Sequence, residues 1–144
     1  MSWLFISFKH KVTFSFFNLN KTRAIIARKL KGLETIITVD YIDSVMKDSE
    51  IGMNFSQQCP DTLNGKENLR DVYLLSHPDY TGKATVPVLF DKKAKKIVSN
   101  SSADILRMLN SEFDEFSTIP NGLIDLYPQS LQKEIDSLNE WITP

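Results

Sequence analysis

The chain has 144 residues, 42% of them hydrophobic and 24% charged, with a formal net charge of −1. That length supports one domain with a real core plus a fragment of a second, and the near-neutral charge gives no electrostatic case for nucleic acid or membrane partners. A single cysteine, Cys59, excludes an internal disulfide and leaves too few thiolates for a structural zinc site, so a reducing cytoplasm is the default compartment.

Residues 1–20 stand apart as an atypical segment. Trp3, Phe5, Phe8, Phe14, Phe16 and Phe17 fall in two short apolar runs interrupted by Lys9-His10-Lys11. Neither run has the length of a membrane span, and the charge order and small-residue cleavage site of a secretion signal are absent. The segment reads as a strand or hairpin, with a strand predicted from Thr13 to Phe17.

Thr22 to Leu33 is predicted as a helix, with basic residues in its last turn and Gly32 suited to its stop. Thr35 to Val39 is β-branched throughout and reads as a strand. Asp40 to Gly82 is longer than an ordinary connection and holds turn signals at Gly52, Cys59-Pro60-Asp61, Asn64-Gly65 and His77-Pro78. One helix is expected within it, from Glu67 to Leu75; the rest reads either as a ligand lid or as a loose excursion.

Thr85 to Asp91 and Lys96 to Ser99 read as two strands of a hairpin around Lys92-Lys93-Ala94-Lys95. From Ser102, the apolar positions Ile105, Leu106, Met108 and Leu109 mark a helix with one buried stripe. Ser101 with Asp104 resembles a capping box, Asp standing for the usual Glu. Asn110 to Tyr127 reads as an acidic linker. Leu131, Ile135, Leu138 and Ile142 then recur at helical spacing, an apolar stripe that needs a partner.

Pro87 is the most informative residue. It sits inside the apolar run Thr85-Val86-Pro87-Val88-Leu89-Phe90, although proline cannot donate to a sheet ladder. Two readings compete: Pro87 opens an edge strand, or the Val86–Pro87 bond is cis and turns the main chain of Val86 outward toward a peptide-like ligand. A polar helix start at Ser101-Ser102 could then hold that ligand's carboxylate.

With a strand at 13–17, the order becomes β-α-β-loop-β-β-α. This is the thioredoxin arrangement, parallel in its first half and an antiparallel hairpin in its second. Residues 21–113 are expected to form this mixed sheet with flanking helices. Residues 114–144 supply a linker and the first helix of an all-α domain that the chain does not complete.

Several blocks in fixed order resemble one family, the glutathionyl-hydroquinone reductases or Xi-class, omega-like glutathione transferases. They are Ile26 to Glu34, Pro78 to Gly82, Thr85 to Leu89, Ile105 to Phe113, Asp125 to Pro128 and Glu134 to Ile142. The resemblance implies a glutathione transferase N-terminal domain, glutathione as co-substrate and glutathionyl-quinones as substrates, in a cytoplasmic homodimer. In that family a cysteine before the first helix attacks the thioether, and a second glutathione releases the mixed disulfide. A helix N-terminus favours the required thiolate.

Aligned on Arg23, the nucleophile's position is occupied by Asn18, with Leu19, Asn20, Lys21 and Thr22 in the rest of the motif. An amide is no nucleophile for this step, so no catalytic residue is assigned. The glutathione-binding positions implied by the resemblance are Met53, Lys83, Ala84, Val86, Pro87, Ser101 and Ser102. Met53 replaces a tryptophan, Lys83 an arginine whose bidentate geometry it lacks, and Ser101 the glutamate of a Glu-Ser pair. Loss of that acid is expected to weaken the γ-glutamyl contact by about 1–3 kcal/mol.

Each position has a plainer reading beside it: a turn or cap for Asn18, a solvated loop lysine for Lys83, and only an N-cap for Ser102. Cys59 reads as an incidental loop thiol rather than a catalyst. His10 and His77 read as structural or solvated. No metal site is expected. Two further readings stay open for the chain: a non-catalytic thioredoxin-like binding module, or a truncated product whose first coding segment is read-through of noncoding sequence.

Overall fold

The computed structural model describes residues 12–16, 22–43, 52–120 and 123–142. His10, Phe17, Asn18 and the positions from Leu19 to Lys21 lie outside the described residues. Strand β1 (Val12–Phe16) pairs in parallel with β2 (Ile37–Tyr41) and antiparallel with β3 (Val88–Asp91). β3 pairs antiparallel with β4 (Lys96–Ser99), giving the order β2-β1-β3-β4. The helices are α1 (Thr22–Leu30), α2 (Leu69–Ser76), α3 (Ser102–Ser111) and α4 (Gln132–Ile142). This is the thioredoxin-like mixed sheet expected from the sequence.

Side-chain alternation along β3 divides the core. Leu89 packs with Ala24 and Ala27 of α1, Ile37 of β2, and Ile105 and Leu109 of α3. Val88 and Phe90 pack on the other face with Leu69, Val72 and Tyr73 of α2, together with Phe55 and Val86. Each fully buried aliphatic side chain here contributes about 1.5–3 kcal/mol relative to exposure.

Helix α1 stops three residues short of the predicted Leu33. Gly32 adopts φ +61°, Leu33 N–H donates to the Arg28 carbonyl, and Gly32 N–H donates to the Lys29 carbonyl. That pair of bonds is a Schellman ending. A side chain at position 32 would also collide with Thr118 and Ile119. The following strand accordingly starts at Ile37 instead of Thr35. Arg28 secures the turn between them, donating to the carbonyls of Ile37 and Glu34 at 2.6 and 2.9 Å.

The described part of the long connection is not a loose excursion. Phe55 N–H donates to Glu67 O and Leu69 N–H to Met53 O, while Asp43 N–H donates to Asn54 O. Buried Asp61 accepts the N–H groups of Leu63, Asn64 and Lys66, and buried Asp40 accepts both the N–H and hydroxyl of Thr62. Satisfying so many main-chain donors removes the freedom that its turn-rich composition implied. Asn68 caps α2 by accepting Asp71 N–H at 3.0 Å, which sets the helix start two residues after the predicted Glu67.

The segment after α3 is likewise tied down. Lys31 is 5% exposed, and its ammonium lies 2.8 Å from Asp114 Oδ1 and donates to the Ile124 carbonyl at 2.9 Å. Arg107 of α3 reaches Asp136 of α4 at 2.7 Å and stacks over the Tyr127 ring at 4.9 Å. The Tyr127 hydroxyl donates to Asp136, which holds its phenol above the ordinary pKa; the Asn110 amide holds Asp125 below the carboxylate norm. Of the apolar stripe foreseen around α4, Leu131, Leu138 and Ile142 remain exposed and Ile135 is half-buried, so the described residues cover it only in part.

Two outcomes follow from these anchors. Lys31→Met is expected to cost about 2–3 kcal/mol in urea unfolding, below the roughly 3–5 of a fully buried pair, because the Asp114 side chain keeps 32% exposure. A loss under about 0.5 kcal/mol at unchanged m would remove the ion pair from the account. Tyr73 donates its hydroxyl to Thr85 O at 2.7 Å and accepts Thr85 N–H at 3.3 Å. Tyr73→Phe is expected to cost about 1–2 kcal/mol and to speed hydrogen exchange at the Thr85 amide; unchanged exchange would show that the hydroxyl does not anchor this segment.

Candidate functional site

The segment 83–87 runs into β3 from the α2 side of the sheet. Its course is held by two tyrosines whose rings lie 4.8 Å apart. Tyr73 clasps Thr85 as described, and Tyr80 donates its hydroxyl to the Lys83 carbonyl at 3.0 Å. Gly82 has no Cβ to meet the Tyr80 hydroxyl and ring beside it.

The Val86–Pro87 bond is cis. Pro87 is buried and precedes the ladder, which begins at Val88. The edge-strand reading of Pro87 is corrected: β3 lies between β1 and β4, so it has partners on both sides. Val86 is 2% exposed, with its side chain in the α2-side core. Met53 and Ala84 are half-buried and pack against that same cluster. Lys83 is exposed.

The second half of the site is the first turn of α3. Ser101 is its N-cap, accepting Asp104 N–H at 3.3 Å. The expected capping box is only half made, since Ser101 N–H donates to Ser99 Oγ at 3.0 Å rather than to a carboxylate at Asp104. Ser102 is the first helical residue, and its Oγ accepts from Arg23 Nη2 at 2.6 Å. Arg23 lies in the first turn of α1, so this bond ties the starts of two helices together.

A further bond closes the arrangement: Asn100 Nδ2 donates to Thr85 Oγ1 at 3.3 Å. The predicted positions therefore fall into two linked groups. Met53, Ala84 and Val86 share one packed cluster, and Ser101 and Ser102 occupy the α3 corner, with Asn100–Thr85 bridging between them. Arg23, Tyr73, Thr85 and Asn100 were not picked out by sequence reasoning as site residues. Hydrogen bonds between residues so distant in sequence leave no spacing signal; Arg23 had served only as an alignment anchor.

Two other candidates take structural roles. Cys59 N–H and carbonyl close a tight turn with Ser56. His77 caps α2, its N–H donating to Tyr73 O and its Nδ1 lying 3.0 Å from Ser76 Oγ. Among the described residues no three His, Cys, Asp or Glu side chains gather as metal ligands, and no helix is long and apolar enough to cross a membrane.

Comparison with known proteins gives this geometry a setting. The family "Glutathione S-transferase, N-terminal domain" matches residues 21–112. The glutathionyl-hydroquinone reductase YqjG of Escherichia coli is 45% identical over 124 residues, covering 83% of this chain and 36% of that protein. The glutathione-bound structure of YqjG superposes with a TM-score of 0.83 at 40% identity, covering 92% of this chain and 43% of that one. The Xi glutathione transferase ECM4 of Saccharomyces cerevisiae, in complex with glutathione, also gives 0.83, at 27% identity over 92% of this chain and 48% of that one. The chain thus spans less than half the length of these relatives. The resemblance drawn from its sequence blocks holds, and the chain belongs to the glutathione S-transferase N-terminal domain family.

Proposed function

We propose that this chain binds glutathione at the junction of the 83–87 segment with the first turn of α3, as a protein of the glutathione-dependent glutathionyl-hydroquinone reductase type whose turnover is impaired by the missing nucleophilic cysteine. The observation that carries this reading is the Asn100–Thr85 bond, which sets an anion-favouring helix start beside the main chain of Val86. In this reading the tripeptide lies extended along the 83–87 segment. Lys83, Ala84, Pro87 and Met53 line it, and Ser101 and Ser102 receive its γ-glutamyl end. The glutathione-bound relatives support the choice of ligand. The cytoplasm, whose glutathione pool is reducing, suits such a protein, and a homodimer is the assembly that the family likeness implies.

Asn18 favours a second reading for the chemistry: a glutathione-binding module that does not turn over. The nucleophile's position, which lies outside the described residues, carries an amide and not a thiol. A thiolate must attack the glutathionyl sulfur, release the hydroquinone, and then be freed by a second glutathione.

Two measurements separate these readings. Titration of the purified chain with glutathione is expected to move amide resonances of Lys83, Val86, Ser101 and Ser102, and a flat response there would remove the binding site. Deglutathionylation of a glutathionyl-hydroquinone is expected to be absent from the unmodified chain and to appear in Asn18→Cys. Turnover by the unmodified chain that survives Cys59→Ser would instead show chemistry that needs no cysteine.

A further inference from the structure

We infer that the apolar stripe of α4 is a contact surface for a second copy of this chain, the two α4 helices lying antiparallel across a twofold axis. This rests on the homodimer reading above and not on how glutathione binds.

No residue of α4 is buried. Its attachment to its own domain is polar: Arg107 and the Tyr127 hydroxyl both donate to Asp136, and Gln132 Nε2 donates to the Tyr127 carbonyl at 3.2 Å. At about 100° per residue, Gln132 and Asp136 share one face. Leu131, Ile135, Leu138 and Ile142 share another, centred about a third of a turn away. Leu131, Leu138 and Ile142 are exposed, as is Trp141 on the flank of the stripe. A helix this short gains little stability alone, so the stripe offers the apolar burial that α4 lacks.

A second copy fits this stripe because it is palindromic. Its steps of four, three and four residues read the same in both directions. Rotation about an axis between Asp136 and Ser137 brings Leu131 to the partner's Ile142, and Ile135 to the partner's Leu138. These are the a and d contacts of a short antiparallel coiled coil with an isologous interface. The same rotation sets exposed Glu134, an acceptor, beside the indole N–H of the partner's Trp141. Lys133 and Glu140 exchange ends, so each end of the pair carries one cation and one anion. The two helix dipoles oppose one another, which favours this arrangement over a parallel one. The face is small, so the dimer it makes is weak and reversible.

The test is sedimentation equilibrium of the purified full chain, with cross-linking to read the register. The unmodified chain is expected to be half dimeric at about 0.1 mM. Leu138→Gln removes an exposed apolar side chain twice per dimer. It is expected to weaken association about tenfold or more, with far-UV circular dichroism unchanged. In a Cys59→Ser background, chains carrying Leu131→Cys or Ile142→Cys are each expected to resist a short bis-maleimide when alone, because an antiparallel pair holds like positions about 16 Å apart. Mixed, the two are expected to cross-link.

A chain that stays monomeric at about 1 mM overturns this inference and the homodimer with it, while glutathione binding stands. A dimer indifferent to Leu138→Gln, or the Leu131→Cys chain cross-linking to itself, overturns this surface while the homodimer stands.

Discussion

Val88, Leu89 and Phe90 are each no more than 2% exposed, and three consecutive buried residues in an extended strand demand cover on both faces of the sheet. Leu89 calls for α1 and α3 on one side; Val88 and Phe90 call for α2 and Phe55 on the other. The same requirement fixes the two ends of the β3–β4 hairpin. Before it, the 83–87 segment must descend from the α2 layer; after it, the chain must climb to the α3 layer. The candidate site is the place where that entry and that exit meet. Its position is a consequence of double-sided burial, with Asn100–Thr85 and Arg23–Ser102 as the local fastenings.

How much of this could be read in advance depends on the range of the interaction. The β3 run announces itself because Val86 to Phe90 are all apolar, and α3 because Ile105, Leu106, Met108 and Leu109 fall on one stripe at helical spacing. The cis Val86–Pro87 bond was legible as one of two readings because a proline in such a run conflicts with ladder pairing. The end of α1 was misjudged by three residues, since the Schellman bonds that stop it compete locally with continued helix. For the loop at 52–68 the loose-excursion reading fails. Its Gly, Pro, Asn and Asp content speaks for turns, and nothing in that content reveals that one aspartate will gather three N–H groups and another will hold Thr62.

Arg23 lay beyond any such reading, because its partner is 79 residues away. The same limit applies to Lys31. A basic residue in the last turn of a helix ordinarily signals a favourable dipole contact with solvent around it. Here it is nearly fully buried, and its partners Asp114 and Ile124 come from the segment after α3. That ion pair makes the described residues 114–120 and 123–131 part of the fold's support, so the join between the sheet domain and α4 is held by it together with the Arg107–Asp136–Tyr127 cluster.

The three positions that the sequence resemblance singles out as departures, Met53, Lys83 and Ser101, each have a definite place in the scaffold. Met53 faces the α2-side cluster, where an unbranched thioether fills irregular space readily. Lys83 contributes its carbonyl to Tyr80, a contact that any residue supplies, so its side chain is free of a structural duty. Ser101 is the sharper case. An N-cap serine accepting Asp104 N–H stabilises a helix by about 1 kcal/mol over a residue that cannot cap. Whatever its bearing on a ligand, Ser101 therefore has a structural duty of its own, steadying the start of α3.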